Sequence, residues 1–266
     1  MLQPLGLITL LTDFGDRDWF VASMKGVVLS INSQVRLVDL THQIPCHDIE
    51  EGAYILDSCY RYYPPGTIHV AVVDPGVGGP RRPLLVRTSR YFFIAPDNGL
   101  LSYILEQESD VEAREIENKQ FRLDGEGRTF DGRDVFAPAA AWLAKHQPFA
   151  SFGRLVEDPR RFDVAVPRWK DQAFHGEVVY VDRFGNLITN VTRGHVEEVR
   201  NVTKRAAPSI HIAGHIIDGL IDSYSEASPD KPRALINSNG RLEIFVKEAS
   251  ASSLLGIARH EKVTLT

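Results

Sequence analysis

Between Leu7 and Val73, short apolar runs alternate with stretches of helical spacing, and no other feature constrains the fold of the 266-residue chain as tightly. Leu7–Leu11, Gln34–Leu40 and the β-branched run Ile68–Val73 read as strands. The segments between them, Trp19–Leu29 and Ile49–Leu56, repeat apolar residues every three to four positions, as the buried face of a helix does. Asp48, with Glu50 and Glu51 behind it, suits a helix N-terminus; Asp16 or Asp18 is expected to cap the Trp19 helix. Strands joined through helices build a mostly parallel, helix-covered sheet. Leu84–Thr88 and Tyr91–Ala95 add two strands, and helices are expected after Pro96-Asp97-Asn98-Gly99 and over Ala139–Lys145.

The second half changes character. Gly176–Val181, Leu187–Val191, Ile210–Ile212, Ala234–Ile236 and Leu242–Val246 are short strands between turns, and helical signal is confined to His195–Val199 and Ser252–Leu255. The expectation is an α/β domain over residues 1–168 and a smaller all-β barrel over 169–266, divided near Pro167–Asp171. The net charge of -5 and the lack of a basic tract argue against nucleic-acid partners. The two cysteines, Cys46 and Cys59, supply neither a disulfide framework nor a zinc ligand set, and suit a reducing cytosol. Met1–Leu11 lacks a basic leader region and reads as a first strand, and no run approaches the ~20 apolar residues of a membrane span. A cytoplasmic location, away from membranes, is expected.

Chemistry is sought at the strand ends, because ligands of open α/β sheets sit outside the carboxyl ends of the strands. Asp74 stands there, followed by Pro75, Gly76, Gly78, Gly79 and the cations Arg81 and Arg82. This stretch can form a reaction centre or a tight turn whose aspartate caps its own loop. Asp13 ends the first strand, where a carboxylate can accept both hydroxyls of a ribose. No G-x-G-x-x-G or phosphate-binding P-loop follows it. In the second half Asp182-Arg183-Phe184-Gly185-Asn186 offers an amide able to address a base edge and a carboxylate able to hold an ammonium group, or serves as a connecting turn. Tyr224-Ser225-Glu226 and Asn237-Ser238-Asn239-Gly240 carry the same two readings. The nine histidines show no metal-ligand spacing, and no serine or cysteine stands in a recognisable nucleophile motif.

Six motifs in order bear a further resemblance: Leu11-Thr12-Asp13-Phe14-Gly15, Val73-Asp74-Pro75-Gly76-Val77-Gly78, Pro96-Asp97-Asn98-Gly99-Leu100, Gly132-Arg133-Asp134-Val135-Phe136-Ala137-Pro138, Asp182-Arg183-Phe184-Gly185-Asn186 and Ile236-Asn237-Ser238. Together they resemble the S-adenosylmethionine hydroxide adenosyltransferase (S-adenosyl-L-methionine hydrolase) family, related to the fluorinating and chlorinating enzymes. The resemblance implies conversion of S-adenosylmethionine and water to adenosine and methionine by attack at the ribose C5′. It implies no cofactor beyond that substrate, and a homotrimer with each site between one subunit's N-terminal domain and a neighbour's C-terminal domain. By the same resemblance Asp13 holds the ribose hydroxyls, Asn186 reads adenine and Tyr224 lies beside the base. Asp182 and Ser238 hold the amino and carboxylate ends of methionine. Asn239 stands where the fluorinating relatives have an arginine beside that serine, so carboxylate binding must rest elsewhere. Asp74 and Arg81 fit the water-using branch, whose Asp-Arg-His set places the histidine before Gly-Arg-Asp. Here that position is Asp131. A non-catalytic S-adenosylmethionine or adenosine sensor and a halide-using adenosyl transferase are the alternatives.

Overall fold

The computed structural model describes residues 2–125, 127–204 and 207–266. The chain forms two compact units, Met1–Asp163 and Val164–Thr266.

The first unit runs β1 (Leu7–Thr12), α1 (Phe20–Ile31), β2 (Arg36–Thr41), α2 (Ile49–Cys59), β3 (Ile68–Val72), β4 (Pro83–Arg87), β5 (Phe92–Pro96), α3 (Ser102–Gln107), β6 (Glu112–Glu115) and α4 (Ala137–Ala144). Its six strands lie in the order β2-β1-β3-β5-β4-β6. β2, β1, β3 and β5 are mutually parallel, and β4 is antiparallel to both its neighbours, so the sheet is mixed. The reversal has a local cause: only Thr88–Tyr91 separates β4 from β5, too short for the crossover that a parallel pair needs.

Every residue of β1, β3 and β5 is buried, as expected of strands covered on both faces. Ile8, Leu10, Val70 and Val72 pack on one face against Met24 and Val28 of α1 and the alanines of α4, whose small side chains permit close approach. α2 covers the opposite face, where Gly52 sits against Leu11, Val73 and Leu100. Asp48 caps α2 by accepting from Glu51 N–H. α1 departs from expectation: it starts after Trp19 with no side-chain cap. Its entry is fixed instead by aromatic packing, with Trp19, Phe20 and Phe14 all against Phe130.

The second unit comprises β7 (Arg168–Lys170), β8 (Ala173–Val181), β9 (Leu187–Thr192), α5 (Arg193–Thr203), β10 (Ser209–Ile212), β11 (His215–Asp218), β12 (Pro232–Ile236), β13 (Arg241–Val246), α6 (Ala251–Leu255) and β14 (Lys262–Leu265). Its main path is β11-β10-β14-β8-β9-β13-β12, with β7 attached to β8, and all pairs are antiparallel. The path nearly closes into a barrel: just beyond β11, Ile221 N–H donates to Ala234 of β12 at 3.0 Å. Inward residues such as Val178, Leu187, Leu242 and Ile244 fill its core. Among the described residues no helix is long and apolar enough to cross a membrane.

Candidate active site

At the carboxyl edge of the first sheet, β3 delivers Asp74. Asn98, in the turn after β5, donates its Nδ2–H to Val73 O at 2.8 Å and fixes the strand end just before the carboxylate. Val77 N–H then donates to Asp74 O and Gly79 N–H to Gly76 O, folding the chain back so that Arg81 faces Asp74. Arg81 Nε donates to both Asp74 oxygens (3.1 and 2.9 Å), and its Nη2 lies 2.5 Å from Asp74 Oδ2 and 2.5 Å from Asp131 Oδ2. One guanidinium thus joins two carboxylates, with Asp74 4%, Arg81 7% and Asp131 19% exposed. Burial works against the charge on Arg81, but the hydrogen bonds and charges of Asp74 and Asp131 outweigh it and hold its pKa above the ordinary value. The next residue, Arg82, serves a different pair of carboxylates, Asp97 and Asp158.

Two loops must touch for Asp131 to reach Arg81. Gly78, at φ +75°, allows it: a Cβ there would lie 2.5 Å from Arg128 O. Asp131 immediately precedes a π-helical turn, Gly132–Phe136, which leads into α4. Such turns recur at functional sites because they redirect side chains within an otherwise regular helix. The carboxylates of Asp74 and Asp131 wall a cavity of about 140 Å³ whose other sides are mostly apolar, Phe14, Phe20, Val72, Val77 and Phe130, with Thr129 and Gly132 completing it. A water occupies roughly 30 Å³ of liquid, so this space suits a few waters rather than a nucleoside.

Asp13 leaves the sheet at the same edge, one residue beyond the Thr12–Val72 pairing of β1 with β3. Its Oδ2 accepts from His47 N–H at 2.9 Å, and so helps hold the loop before α2. It caps no helix.

In the second unit Asp182, Asn186 and Tyr224 come together on one cavity of about 890 Å³. Asp182 organises its own turn: Oδ1 accepts from Phe184 N–H and Asn186 N–H, and Oδ2 from Asn186 Nδ2–H, all at 2.9 Å. Gly185, at φ +81°, is required here, since a Cβ would fall 2.0 Å from Ser250 Oγ. Tyr224 contributes an exposed ring; burial of its hydroxyl, then its bond to Glu243, raise the phenol pKa and keep the proton in place. Ser238 is exposed on the turn between β12 and β13 and lies outside the described lining of this cavity. Asn239 shares that turn, its N–H bonded to Asn237 Oδ1. Sequence reasoning named neither Asn98 nor Glu243 as a site residue. Asn98 was visible within the quoted Asp97-Asn98-Gly99 motif, whereas Glu243 carried no local signal.

Among the described residues no group of three His, Cys, Asp or Glu side chains is placed to hold a metal ion. Profiles of the SAM hydroxide adenosyltransferase N-terminal and C-terminal domains match residues 8–153 and 176–264. The chain belongs to this family. An (R)-S-adenosyl-L-methionine hydrolase of Salinispora tropica is 31% identical over 100% of this chain and 99% of its own length. Another from Thermus thermophilus is 35% identical over 96% of this chain and 97% of its own. A solved structure of an uncharacterized conserved protein from Thermotoga maritima superposes with a TM-score of 0.89 at 27% identity, covering 97% of this chain and 99% of that one. The two domain profiles of the SAM hydroxide adenosyltransferases fall one on each compact unit, so the carboxylate–arginine cluster belongs to the N-terminal domain and the large cavity to the C-terminal one.

Proposed function

We propose that the protein hydrolyses S-adenosyl-L-methionine to adenosine and L-methionine, a water attacking the ribose C5′ in the cavity between Asp74 and Asp131. The observation that carries this reading is the pairing of both carboxylates with Arg81 on the wall of a space sized for water. The leaving group needs little help, because a sulfonium departs as a neutral thioether. What remains is alignment, which can supply about 7–11 kcal/mol. Full deprotonation of water, from a pKa of about 15.7, would cost roughly 12 kcal/mol at pH 7. Partial proton transfer to Asp74 as C–O bond formation proceeds is the cheaper course. Arg81 holds the carboxylate in register for it, and Asp131 sets the charge of the pocket.

In this reading Asp13 takes the ribose hydroxyls, Asn186 the adenine edge, Tyr224 a face beside the base, and Asp182 with Ser238 the two ends of methionine. Residues 1–168 form the catalytic domain and 169–266 the barrel domain. The working unit is a cytoplasmic homotrimer that needs no cofactor. The large cavity on Asp182, Asn186 and Tyr224 supports the assignment of substrate binding to the second domain.

The test is single-turnover adenosine formation followed by chromatography. Asp74→Ala should slow it at least a hundredfold; a variant as fast as the parent removes Asp74 from the mechanism. Asp131→His should accelerate it, because an unperturbed imidazole is the stronger base by about 2.6 pKa units, or ~3.5 kcal/mol.

A further inference from the structure

Glu243 is buried, 3% exposed, in a strand whose neighbours on either side point into the barrel. Leu242, Ile244 and Val246 fill that core, so by the two-residue period of a strand Glu243 and Phe245 face the other way. On that outer face Phe245 joins a small apolar cluster with Ala227 and Leu235, beneath the segment that carries Tyr224. A carboxylate in this place gives up its hydration, and an apolar side chain would fill the same position without that cost.

What the carboxylate does there is specific. Tyr224 O–H donates to Oε1 at 2.6 Å and Asn237 Nδ2–H donates to Oε2 at 3.2 Å. Burial first, and then the nearby charge of Asp182, raise the Glu243 pKa, while the bonds from Tyr224 and Asn237 act in the opposite direction. Tyr224 also packs edge-on to Phe245, at 4.8 Å between ring centroids and 84° between planes. Asn237 in turn accepts through Oδ1 from the N–H groups of Asn239 and Arg241, and so shapes the turn that bears Ser238.

We propose that Glu243 is a positioning residue for substrate binding: its two oxygens tie the Tyr224 wall of the large cavity to the Asn237–Gly240 turn, so that the aromatic face and the turn are presented as one rigid piece. This inference rests on the reading of that cavity as the binding site for the adenosyl group. Glu243 touches no substrate atom in this scheme and acts through Tyr224 and Asn237.

The experiment measures KM and kcat for S-adenosylmethionine, calorimetric affinity for adenosine, and thermal melting, in the parent, Glu243→Gln, Tyr224→Phe and the double variant. Glu243→Gln keeps the shape but puts an amide N–H where one donor must bind. It should raise KM and weaken adenosine binding about tenfold, with kcat moving less than threefold. Tyr224→Phe keeps the ring and removes its anchor, so it should do the same, and the double variant should be no worse than either single one. A lowered melting temperature with KM within twofold of the parent in the folded single variants makes Glu243 merely structural and overturns the proposal. So do fully additive effects. If Glu243→Gln fails to fold, Tyr224→Phe decides alone by the same KM criterion. A parent that neither binds adenosine nor consumes S-adenosylmethionine overturns the functional reading itself, and the two failures are thereby distinguished.

Discussion

Replacing Arg81 by methionine tests the electrostatics of the cluster directly. Methionine keeps much of the length and packing and removes the cation that bridges Asp74 and Asp131. Each Oδ2 lies 2.5 Å from the shared Nη2, so the two oxygens are at most about 5 Å apart, twice that distance. Two unit charges about 5 Å apart repel by roughly 3 kcal/mol at an effective dielectric of ~20. This agrees with the ~3–5 kcal/mol that breaking a buried ion pair by removing one partner costs in general. For a domain of this size about 3 kcal/mol corresponds to a fall of roughly 6–12 °C in melting temperature.

The diagnostic comparison is the double variant Arg81→Met/Asp131→Asn. It removes one of the two repelling charges and should recover the repulsive share of that loss, while Asp74 stays buried without its cation. It should not recover catalysis, because Asp74 still lacks the two-pronged grip of Nε and Nη2. The assays are calorimetric melting and single-turnover adenosine formation, on matched samples at low and high salt. The cluster is largely buried, so salt should change the difference little. Equal melting temperatures for the single and double variants would refute the argument, since the carboxylate repulsion would then be absent. A double variant restored in rate would refute the orienting role of Arg81.

Two further predictions concern His69 and Gly78. His69 is buried among Tyr60, Tyr63, Tyr91 and Phe93, and burial pushes its pKa down to about 3. The unfolded chain takes up this proton near pH ~6.5 and the folded chain does not, so stability is lost as pH falls through that window; the loss from pH 7 to pH 5 is about 2 kcal/mol. Urea unfolding at both pH values should show this loss in the parent and not in His69→Leu, and equal losses in both would exclude His69 as the cause. Gly78→Ala should separate the loop of Asp74 from that of Asp131, because a Cβ meets Arg128 O at 2.5 Å and the backbone is left-handed there. The expected result is a destabilised protein with a strongly reduced single-turnover rate, and wild-type kinetics would show that the close approach is dispensable.

The sequence patterns that proved legible were those with local causes. The buried runs of β1 and β3 are bounded by turn residues, and Asp48 with two acidic neighbours marks the start of α2. Asp74 and Arg81 are seven residues apart on one loop, so a short-range argument could pair them. Asp131 reaches the same guanidinium from fifty residues away, and only the resemblance of its surrounding motif suggested it. Asp16 and Asp18 failed as helix caps because the entry to α1 is fixed by aromatic contacts to Phe130, which are remote in sequence. Glu243 was illegible for a related reason. The alternation of Arg241–Val246 assigns it to an outward face beside Phe245, and nothing within the strand reveals that Tyr224 covers that face.

Under the proposed mechanism, the charge of the cluster also bears on which nucleophile it would admit. Asp74, Arg81 and Asp131 together carry one excess negative charge beside a cavity whose lining is otherwise mostly apolar, Phe14, Phe20, Val72, Val77 and Phe130 with Thr129 and Gly132. An anion about 4 Å from that excess charge meets roughly 4 kcal/mol of repulsion at an effective dielectric of ~20, a discrimination near a thousandfold in favour of neutral water. The same charge stabilises a bound sulfonium, which lowers the ground state and does nothing for the chemical step by itself. The rate must then come from alignment and from proton acceptance as the C–O bond forms. A site with two carboxylates on one guanidinium is therefore better suited to selecting water than to activating it strongly, which is why an imidazole at position 131, neutral and more basic, is expected to hasten hydrolysis and to relax the exclusion of anions at the same time.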